Sequence, residues 1–194
     1  MKRNIAVIGC GHWGKNLVRN FSELGALGAV CDPNIDLAKH YAKECNVDNL
    51  TFNEVISNSD INGVVIAAPA QLHASMAVEA MNAGKHVYVE KPLAMNKSEG
   101  QAMINSSKKN NVKLMVGHLL QYHPIFIKLR DLVQSGVIGS LNYIYSNRLS
   151  FGKVRSEENV IWSFAPHDIS MILSIVGNDP KTVITESSCI LQPN

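Results

Sequence analysis

The beginning of the chain places the strongest constraint on its fold. A continuous apolar run at residues 4–9 ends in glycine, and it leads into the sequence Gly9-Cys10-Gly11-His12-Trp13-Gly14. Short apolar runs of this kind are typical of strands that are buried on both faces of a parallel sheet. After the glycines, apolar residues recur every three or four positions, which predicts an amphipathic helix. The chain therefore opens with a strand, a glycine-rich turn and a helix, the beginning of a βαβ unit.

The same alternation continues to about residue 119. Further strands are predicted at residues 26–31, 64–68, 86–89 and 112–117, and further helices at residues 35–45, 71–83 and 97–110. Strands that are separated by helices of this length pair in parallel through right-handed crossovers. We therefore predict an α/β fold in which residues 1–119 form a Rossmann domain with a doubly wound parallel sheet.

A different pattern follows residue 119. It predicts a helix at residues 124–136, a long alternating strand at 140–150, a helix within residues 162–177 that is opened by Pro166 and Asp168, and a last strand at 182–191. His167 is expected in the first turn of the second of these helices. Residues 120–194 are thus predicted to be part of an α+β domain with a mixed or antiparallel open sheet.

The glycine-rich turn has the spacing of a dinucleotide-binding motif. Its first glycine permits a tight turn, its second lets the backbone approach a pyrophosphate, and its third lets the helix pack closely on the sheet. We place Gly9, Gly11 and Gly14 in a cofactor site, together with His12 and Trp13, which lie between them. The alternative is a glycine-rich turn that binds nothing.

An acidic residue stands where such a motif requires one. Asp32 ends the second predicted strand, 18 positions after Gly14. There its carboxylate is expected to accept hydrogen bonds from ribose hydroxyls. Because an anion at this place repels a 2′-phosphate, the sequence favours NAD over NADP as the cofactor.

A second candidate site follows the strand at residues 86–89. Glu90, Lys91 and Pro92 come directly after it, at the carboxyl edge of the sheet where open α/β folds bind their ligands. Proline restricts the turn, and partial burial can tune a lysine for acid–base chemistry. Taken alone, this lysine is better explained as an ordinary surface residue.

Several stretches together resemble one family. They are the glycine motif, Ala68-Pro69-Ala70-Gln71-Leu72-His73, Ala83-Gly84-Lys85-His86-Val87-Tyr88-Val89-Glu90-Lys91-Pro92 and Ala165-Pro166-His167-Asp168. In these the chain is similar to the Gfo/Idh/MocA oxidoreductases, NAD(P)-dependent enzymes that act mostly on sugars, nucleotide sugars and inositols. The stretches at residues 117–124 and 162–168 most resemble members that act on UDP-linked N-acetylated amino sugars or their uronates.

The resemblance implies roles for individual residues. Lys91 and His167 are the implied catalytic residues, and Ala68, Pro69, His73, Glu90 and Lys91 are implied to line the cofactor site. The substrate is expected to contact Lys91, Gln121, Trp162, His167 and Asp168. Two positions depart from the family pattern, because Ser163 stands where many members carry aspartate and Gln121 where many carry arginine. Serine exchanges no proton near neutral pH, so the acid–base work is expected to fall on Lys91 and His167.

Composition narrows the possible partners. With 18 Lys and Arg residues against 16 Asp and Glu, the net charge of +2 argues against a nucleic acid or an anionic membrane as the partner. The four cysteines are scattered without a CxxC pair, which favours reduced thiols in a cytoplasmic protein and no metal site.

Within the resembled family the second domain is a wide sheet that packs against a partner subunit. We therefore expect a truncated second domain and a homo-oligomer that forms through its sheet.

The function expected from the sequence is NAD-dependent oxidation of a secondary hydroxyl, at C3 of a sugar or nucleotide sugar. One alternative keeps the fold and takes a free sugar, an inositol or a biliverdin-like compound. The other is a truncated, non-catalytic module that binds a dinucleotide.

Overall fold

A computed structural model describes residues 3–149 and 159–188 of the chain. The chain divides into two compact units, Met1–His118 and Leu119–Asn194.

The first unit contains a six-stranded sheet in which every neighbouring pair of strands is parallel. Its strands are β1 (Ile5–Ile8), β2 (Leu27–Cys31), β3 (Asp48–Asn49), β4 (Gly63–Ile66), β5 (His86–Val89) and β6 (Leu114–Val116). They lie in the order β3-β2-β1-β4-β5-β6, so the chain runs outward from β1 first in one direction and then in the other. This is the doubly wound order, and it confirms the predicted Rossmann sheet.

Five helices connect these strands. They are α1 (Gly14–Glu23), α2 (Ile35–Cys45), α3 (Phe52–Ser57), α4 (His73–Asn82) and α5 (Lys97–Lys109), with a 3-10 turn at Ala70–Leu72 before α4. The side chains of Asn34 and Asn96 begin α2 and α5 by accepting a hydrogen bond from a backbone N–H one turn further on.

Two short elements were not predicted. They are β3, which is two residues long, and α3, which is six. The helix does carry a local signal, because Thr51 and Glu54 form a capping box in which each side chain accepts from the other's backbone N–H.

Apolar side chains pack on both faces of the sheet. Ala6 and Ile8 of β1 lie in a cluster with residues of α3, α4 and α5, whereas Val7 lies in a second cluster with residues of α1 and α2. Successive side chains of a strand point to opposite faces, so one strand contributes to both clusters. Because all six strands are parallel, their carboxyl ends lie at the same edge of the sheet, and the candidate site lies at that edge.

The second unit contains a 3-10 turn at Leu119–Tyr122 and two helices, α6 (Pro124–Gln134) and α7 (Val160–Val176). Neither predicted strand is formed at residues 140–149 or 182–188, while residues 150 and 189–191 lie outside the described part. The expected mixed or antiparallel sheet is therefore absent from the described residues of this unit. A strand needs a neighbour to satisfy its backbone N–H and C=O groups, and neither segment has one among residues 3–149 and 159–188.

The start of α7 also corrects a prediction. Asn159 accepts a hydrogen bond from the Trp162 N–H at 3.1 Å, so the helix begins at Val160 and is not opened by Pro166 and Asp168 as predicted. Pro166 therefore lies inside the helix, where it cannot donate to the Trp162 carbonyl. His167 sits in the middle of the helix and not in its first turn. In the part of the chain that is described, no helix is both long and apolar enough to cross a membrane.

Candidate active site

The three glycines of the β1–α1 loop meet different surroundings. Gly9 has a φ of +91°, and a Cβ built there would stand 2.7 Å from the Ala67 carbonyl oxygen. A Cβ at Gly14 would lie 1.8 Å from the Gly9 carbonyl oxygen, so the helix can start this close to the loop only with glycine. A Cβ at Gly11 would meet no atom within 4 Å. Two of the glycines are thus demanded by packing, and the third faces open space.

Backbone donors surround that open space. The first residue before α1, Trp13, makes no capping hydrogen bond with its side chain, and the first turn of α1 carries no acidic residue. Within residues 3–149 and 159–188, the N–H groups of Gly11, His12 and Trp13 donate to no other backbone group. A helix N-terminus with available N–H groups attracts an anion. The loop therefore fits the pyrophosphate of a dinucleotide.

Asp32 ties this loop to the neighbouring strand. Its Oδ2 accepts the Cys10 N–H at 2.7 Å, and its Oδ1 accepts the Asn34 N–H at 2.8 Å. Each carboxylate oxygen has a second lone pair, so both can still accept a hydrogen bond from a ribose hydroxyl. Asp32 thus holds the glycine loop in place as well as standing where a ribose is expected, a structural role that sequence reasoning missed.

The thiols beside Asp32 are not nucleophiles. Burial, reinforced by the charge of Asp32, raises the pKa of Cys10 to about 12 and that of Cys31 to about 11. Both thiols therefore stay protonated near neutral pH.

His73 lies in the interior of the unit, with 2% of its surface exposed. Its Nδ1 is 2.7 Å from the Pro92 carbonyl oxygen, and its Nε2 is 2.9 Å from the Ala68 carbonyl oxygen. Ala68 is half-buried and Pro69 is exposed, so these two residues and not the His73 ring offer surface at this edge. His73 was predicted to line the cofactor site, and in the structure its ring links the loop at Ala68 to the segment at Pro92.

The segment that contains Lys91 is held by a buried carboxylate. Tyr88 donates its hydroxyl to Glu90 Oε1 at 2.9 Å, and the Lys91 N–H donates to Glu90 Oε2 at 3.3 Å. Glu90 is buried and Lys91 half-buried. Gly117 follows β6 directly, and a Cβ there would stand 2.6 Å from the Tyr88 hydroxyl oxygen, so a larger residue would have to displace the Tyr88 or Glu90 side chain. Sequence reasoning missed Tyr88 and Gly117, whose contribution depends on the pairing of β5 with β6.

His118 lies next to this carboxylate. Burial lowers its pKa, and the charge of Glu90 opposes that shift without cancelling it.

In the second unit, Asp168 is engaged by an arginine. Arg148 donates from Nε and Nη2 to the two carboxylate oxygens of Asp168, at 2.5 and 2.9 Å. This hydrogen bonding holds the pKa of Asp168 below its usual range, against the opposing effect of burial. Asp168 was predicted to bind substrate, and Arg148, its partner, was missed because no local pattern links the two.

Gln121 is connected to the helix that carries His167. Its side-chain amide donates to Ser170 Oγ at 3.3 Å, and that hydroxyl donates to the His167 carbonyl oxygen at 2.9 Å. His167 and Trp162 are half-buried, and Ser163 is buried. Among the described residues, no three His, Cys, Asp or Glu side chains are grouped closely enough to hold a metal ion.

Comparison with known proteins agrees with this geometry. The model of a family described as an oxidoreductase family with an NAD-binding Rossmann fold matches residues 3–118. Oxidoreductase P35 of Formosa agariphila is 35% identical over 145 residues, which cover 71% of this chain and 44% of that protein. The UDP-N-acetylglucosamine 3-dehydrogenase of Acidithiobacillus ferrooxidans is 30% identical over 178 residues, which cover 91% of this chain and 55% of the enzyme.

A solved structure is similar over nearly the same range. A putative myo-inositol dehydrogenase from Sinorhizobium meliloti superposes with a TM-score of 0.82 at 26% identity, over 91% of this chain and 56% of that one. The chain spans about half the length of the curated relatives that it matches.

Proposed function

Since the chain belongs to the Gfo/Idh/MocA family of oxidoreductases, with their NAD-binding Rossmann fold, we propose that it is a dehydrogenase that oxidises a secondary hydroxyl of a sugar. The observation that carries this proposal is the pairing of the open glycine loop with Asp32. The loop offers N–H groups to a pyrophosphate, and the carboxylate at the end of β2 offers acceptors to a ribose.

NAD is the proposed cofactor, in preference to NADP. Both oxygens of Asp32 already hold the backbone, which fixes the carboxylate in place at the end of β2. A fixed anion repels a 2′-phosphate and accepts from a 2′-hydroxyl. Bound there, NAD would supply the acceptor for the hydride of the carbinol carbon.

Lys91 is proposed to stabilise the charge that develops on the substrate oxygen when the hydride leaves. As the C–H bond breaks, the hydroxyl proton passes to the Lys91 amine, and the ammonium group that forms stabilises the negative charge that develops on the substrate oxygen. Glu90 supports this role because it accepts the Lys91 N–H and is itself held by the Tyr88 hydroxyl. The lysine is therefore attached to a rigid backbone, as a catalytic group must be.

His167 is proposed as a second acid–base residue. It lies in the middle of α7, where Pro166 and Asn159 fix the course of the helix and Gln121 reaches its next turn through Ser170. Ser163, one turn earlier, offers no carboxylate to relay a proton. We therefore expect His167→Asn to lower kcat, with the lost acid–base function visible in the pH dependence of kcat/KM.

The proposed substrate is a UDP-linked N-acetylated sugar, oxidised at C3. The similarity to a UDP-N-acetylglucosamine 3-dehydrogenase over 91% of this chain supports it. The similarity to a putative myo-inositol dehydrogenase favours a second candidate, a free inositol or sugar, in which the same residues act on a ring without a nucleotide.

We also propose that the chain forms a homo-oligomer through its second unit. Tyr143, Tyr145 and Ile184 are each at least 80% exposed there, and exposed apolar groups of this kind favour association. Light scattering should report more than one copy per particle, and a stable monomer would rule the interface out.

A substrate panel tests the activity. UDP-sugars, free sugars and inositols are each incubated with NAD, and NADH is followed by its absorbance. On any substrate that is accepted, Lys91→Met should lower kcat by about 100-fold or more, as expected for loss of a general acid–base group. Lys39→Met, at an exposed position on α2, is the matched control and should leave kcat unchanged. Near-normal turnover by Lys91→Met would remove this lysine from the mechanism.

A further inference from the structure

A buried histidine joins the two loops that flank the candidate cofactor edge. We propose that His73 is a positioning residue that carries a proton on both ring nitrogens and thereby fixes the backbone of Lys91. The inference rests on the proposed role of Lys91 in catalysis. It adds a residue that touches neither cofactor nor substrate.

Both ring nitrogens of His73 face a backbone carbonyl oxygen. The Pro92 and Ala68 carbonyl oxygens lie 2.7 and 2.9 Å from Nδ1 and Nε2 of His73. A carbonyl oxygen accepts hydrogen bonds and never donates them, whereas a neutral imidazole has one N–H and one bare lone pair. In either neutral form one nitrogen lone pair would face an oxygen lone pair at hydrogen-bond distance. Only the doubly protonated ring makes both contacts favourable.

The position of the ring gives these two bonds a consequence for Lys91. His73 is the first residue of α4, and its ring reaches the loop after β4 at Ala68 and the segment after β5 at Pro92. Lys91 is therefore held on both sides, because Glu90 accepts its N–H and His73 donates to the carbonyl of the next residue. With 2% exposure, water cannot readily replace either bond.

The ring protons can be observed without cofactor or substrate. In the ¹⁵N-labelled full chain, long-range ¹H–¹⁵N correlation distinguishes a protonated ring nitrogen from a bare one, and the His73 signals are assigned by their loss in His73→Gln. We expect both nitrogens of His73 to carry protons at the pH of the activity assay. A bare nitrogen on this ring would overturn the proposal, whether or not the chain turns over any sugar.

His73→Asn and His73→Gln distinguish the hydrogen bond to the Pro92 carbonyl from the hydrogen bond to the Ala68 carbonyl. The Asn amide nitrogen replaces Nδ1 and can still donate to Pro92, whereas the Gln amide nitrogen replaces Nε2 and can donate only to Ala68. If Lys91 is positioned through Pro92, His73→Asn should keep about tenfold more kcat than His73→Gln, with similar KM for the sugar in both. Loss of packing alone would not produce this order. Equal kcat values, or the reverse order, would overturn the positioning role.

The controls keep the outcomes apart. His40→Asn and His40→Gln, at an exposed position on α2, should leave kcat and the NMR signals of His73 unchanged. If His73→Gln does not fold, the loss of signals in His73→Asn supplies the assignment, and the spectrum of the unaltered chain then decides the protonation. If Lys91→Met retains full activity while His73 carries both protons, the role of Lys91 fails and the imidazolium assignment survives.

Discussion

Replacing Gly11 and Gly14 in turn by alanine should separate cofactor binding from folding. At Gly14 the new Cβ would lie 1.8 Å from the Gly9 carbonyl oxygen, and that obstacle is backbone that cannot rotate away. Forcing extra atoms into packed regions costs about 1–3 kcal/mol and occasionally more, so we expect the free energy of unfolding to fall by roughly 3 kcal/mol.

Gly11→Ala should behave in the opposite way. Its Cβ meets nothing within 4 Å, so the free energy of unfolding should change by no more than about 0.5 kcal/mol. The methyl group would occupy the space in which a pyrophosphate approaches the backbone. Losing one hydrogen bond between an N–H and a charged phosphate costs about 1.5–3 kcal/mol, which weakens NAD binding by roughly 10- to 150-fold.

Two measurements on each variant are sufficient. Denaturant unfolding reports the stability, and isothermal titration calorimetry with NAD reports the dissociation constant. If Gly11→Ala binds NAD as tightly as the unaltered chain, the pyrophosphate does not lie over this loop. If Gly14→Ala is as stable as the unaltered chain, the packing argument is wrong.

Three further predictions concern the carboxylates and their neighbours. Asp32→Ala should weaken NAD binding more than NADP binding, which calorimetry measures, and an unchanged cofactor preference would contradict the assignment of Asp32 to the ribose site. The same variant should lower the free energy of unfolding by about 1–3 kcal/mol in denaturant unfolding, because the Cys10 N–H loses its acceptor. Gly117→Ala should destabilise the first unit by about 1–3 kcal/mol in denaturant unfolding, because its Cβ would stand 2.6 Å from the Tyr88 hydroxyl oxygen; unchanged stability would mean that the Tyr88–Glu90 pair moves freely. Because Arg148 lowers the pKa of Asp168, their pair stabilises the fold at pH values above the unfolded-state pKa of Asp168, about 3.9, and this stabilisation is lost as the pH falls through the folded-state pKa. Arg148→Gln should therefore lose that pH-dependent part of the free energy of unfolding. Equal pH dependence of unfolding in the variant and the unaltered chain would refute this prediction.

The features that were predicted correctly are local ones. The apolar runs that became β1 and β5 and the helical period of α2 depend on neighbouring residues, so they can be recognised without knowing the fold. The glycine turn was also recognisable, because tight turns and close backbone approaches leave glycine as the only residue that fits.

Apart from α3 and the start of α7, which are marked by local capping hydrogen bonds, the features that were missed depend on contacts between distant residues. The bond from the Cys10 N–H to Asp32 spans 22 positions and exists only because β1 pairs with β2. The His73 ring likewise reaches a carbonyl 19 positions away. Alternation at residues 140–150 predicted a strand, but an alternating pattern makes a strand only where a neighbouring strand is present.

The most direct test of the central claim follows the hydrogen that is transferred. UDP-N-acetylglucosamine deuterated at C3, and the accepted members of the substrate panel deuterated at the oxidised carbon, are incubated with the chain and NAD. Mass spectrometry of the cofactor should then find reduced NAD that carries one deuterium, formed far more slowly by Lys91→Met. Reduced cofactor without the label, or no reduced cofactor with any sugar of the panel, would contradict the claim that this chain transfers hydride from a sugar carbon to NAD.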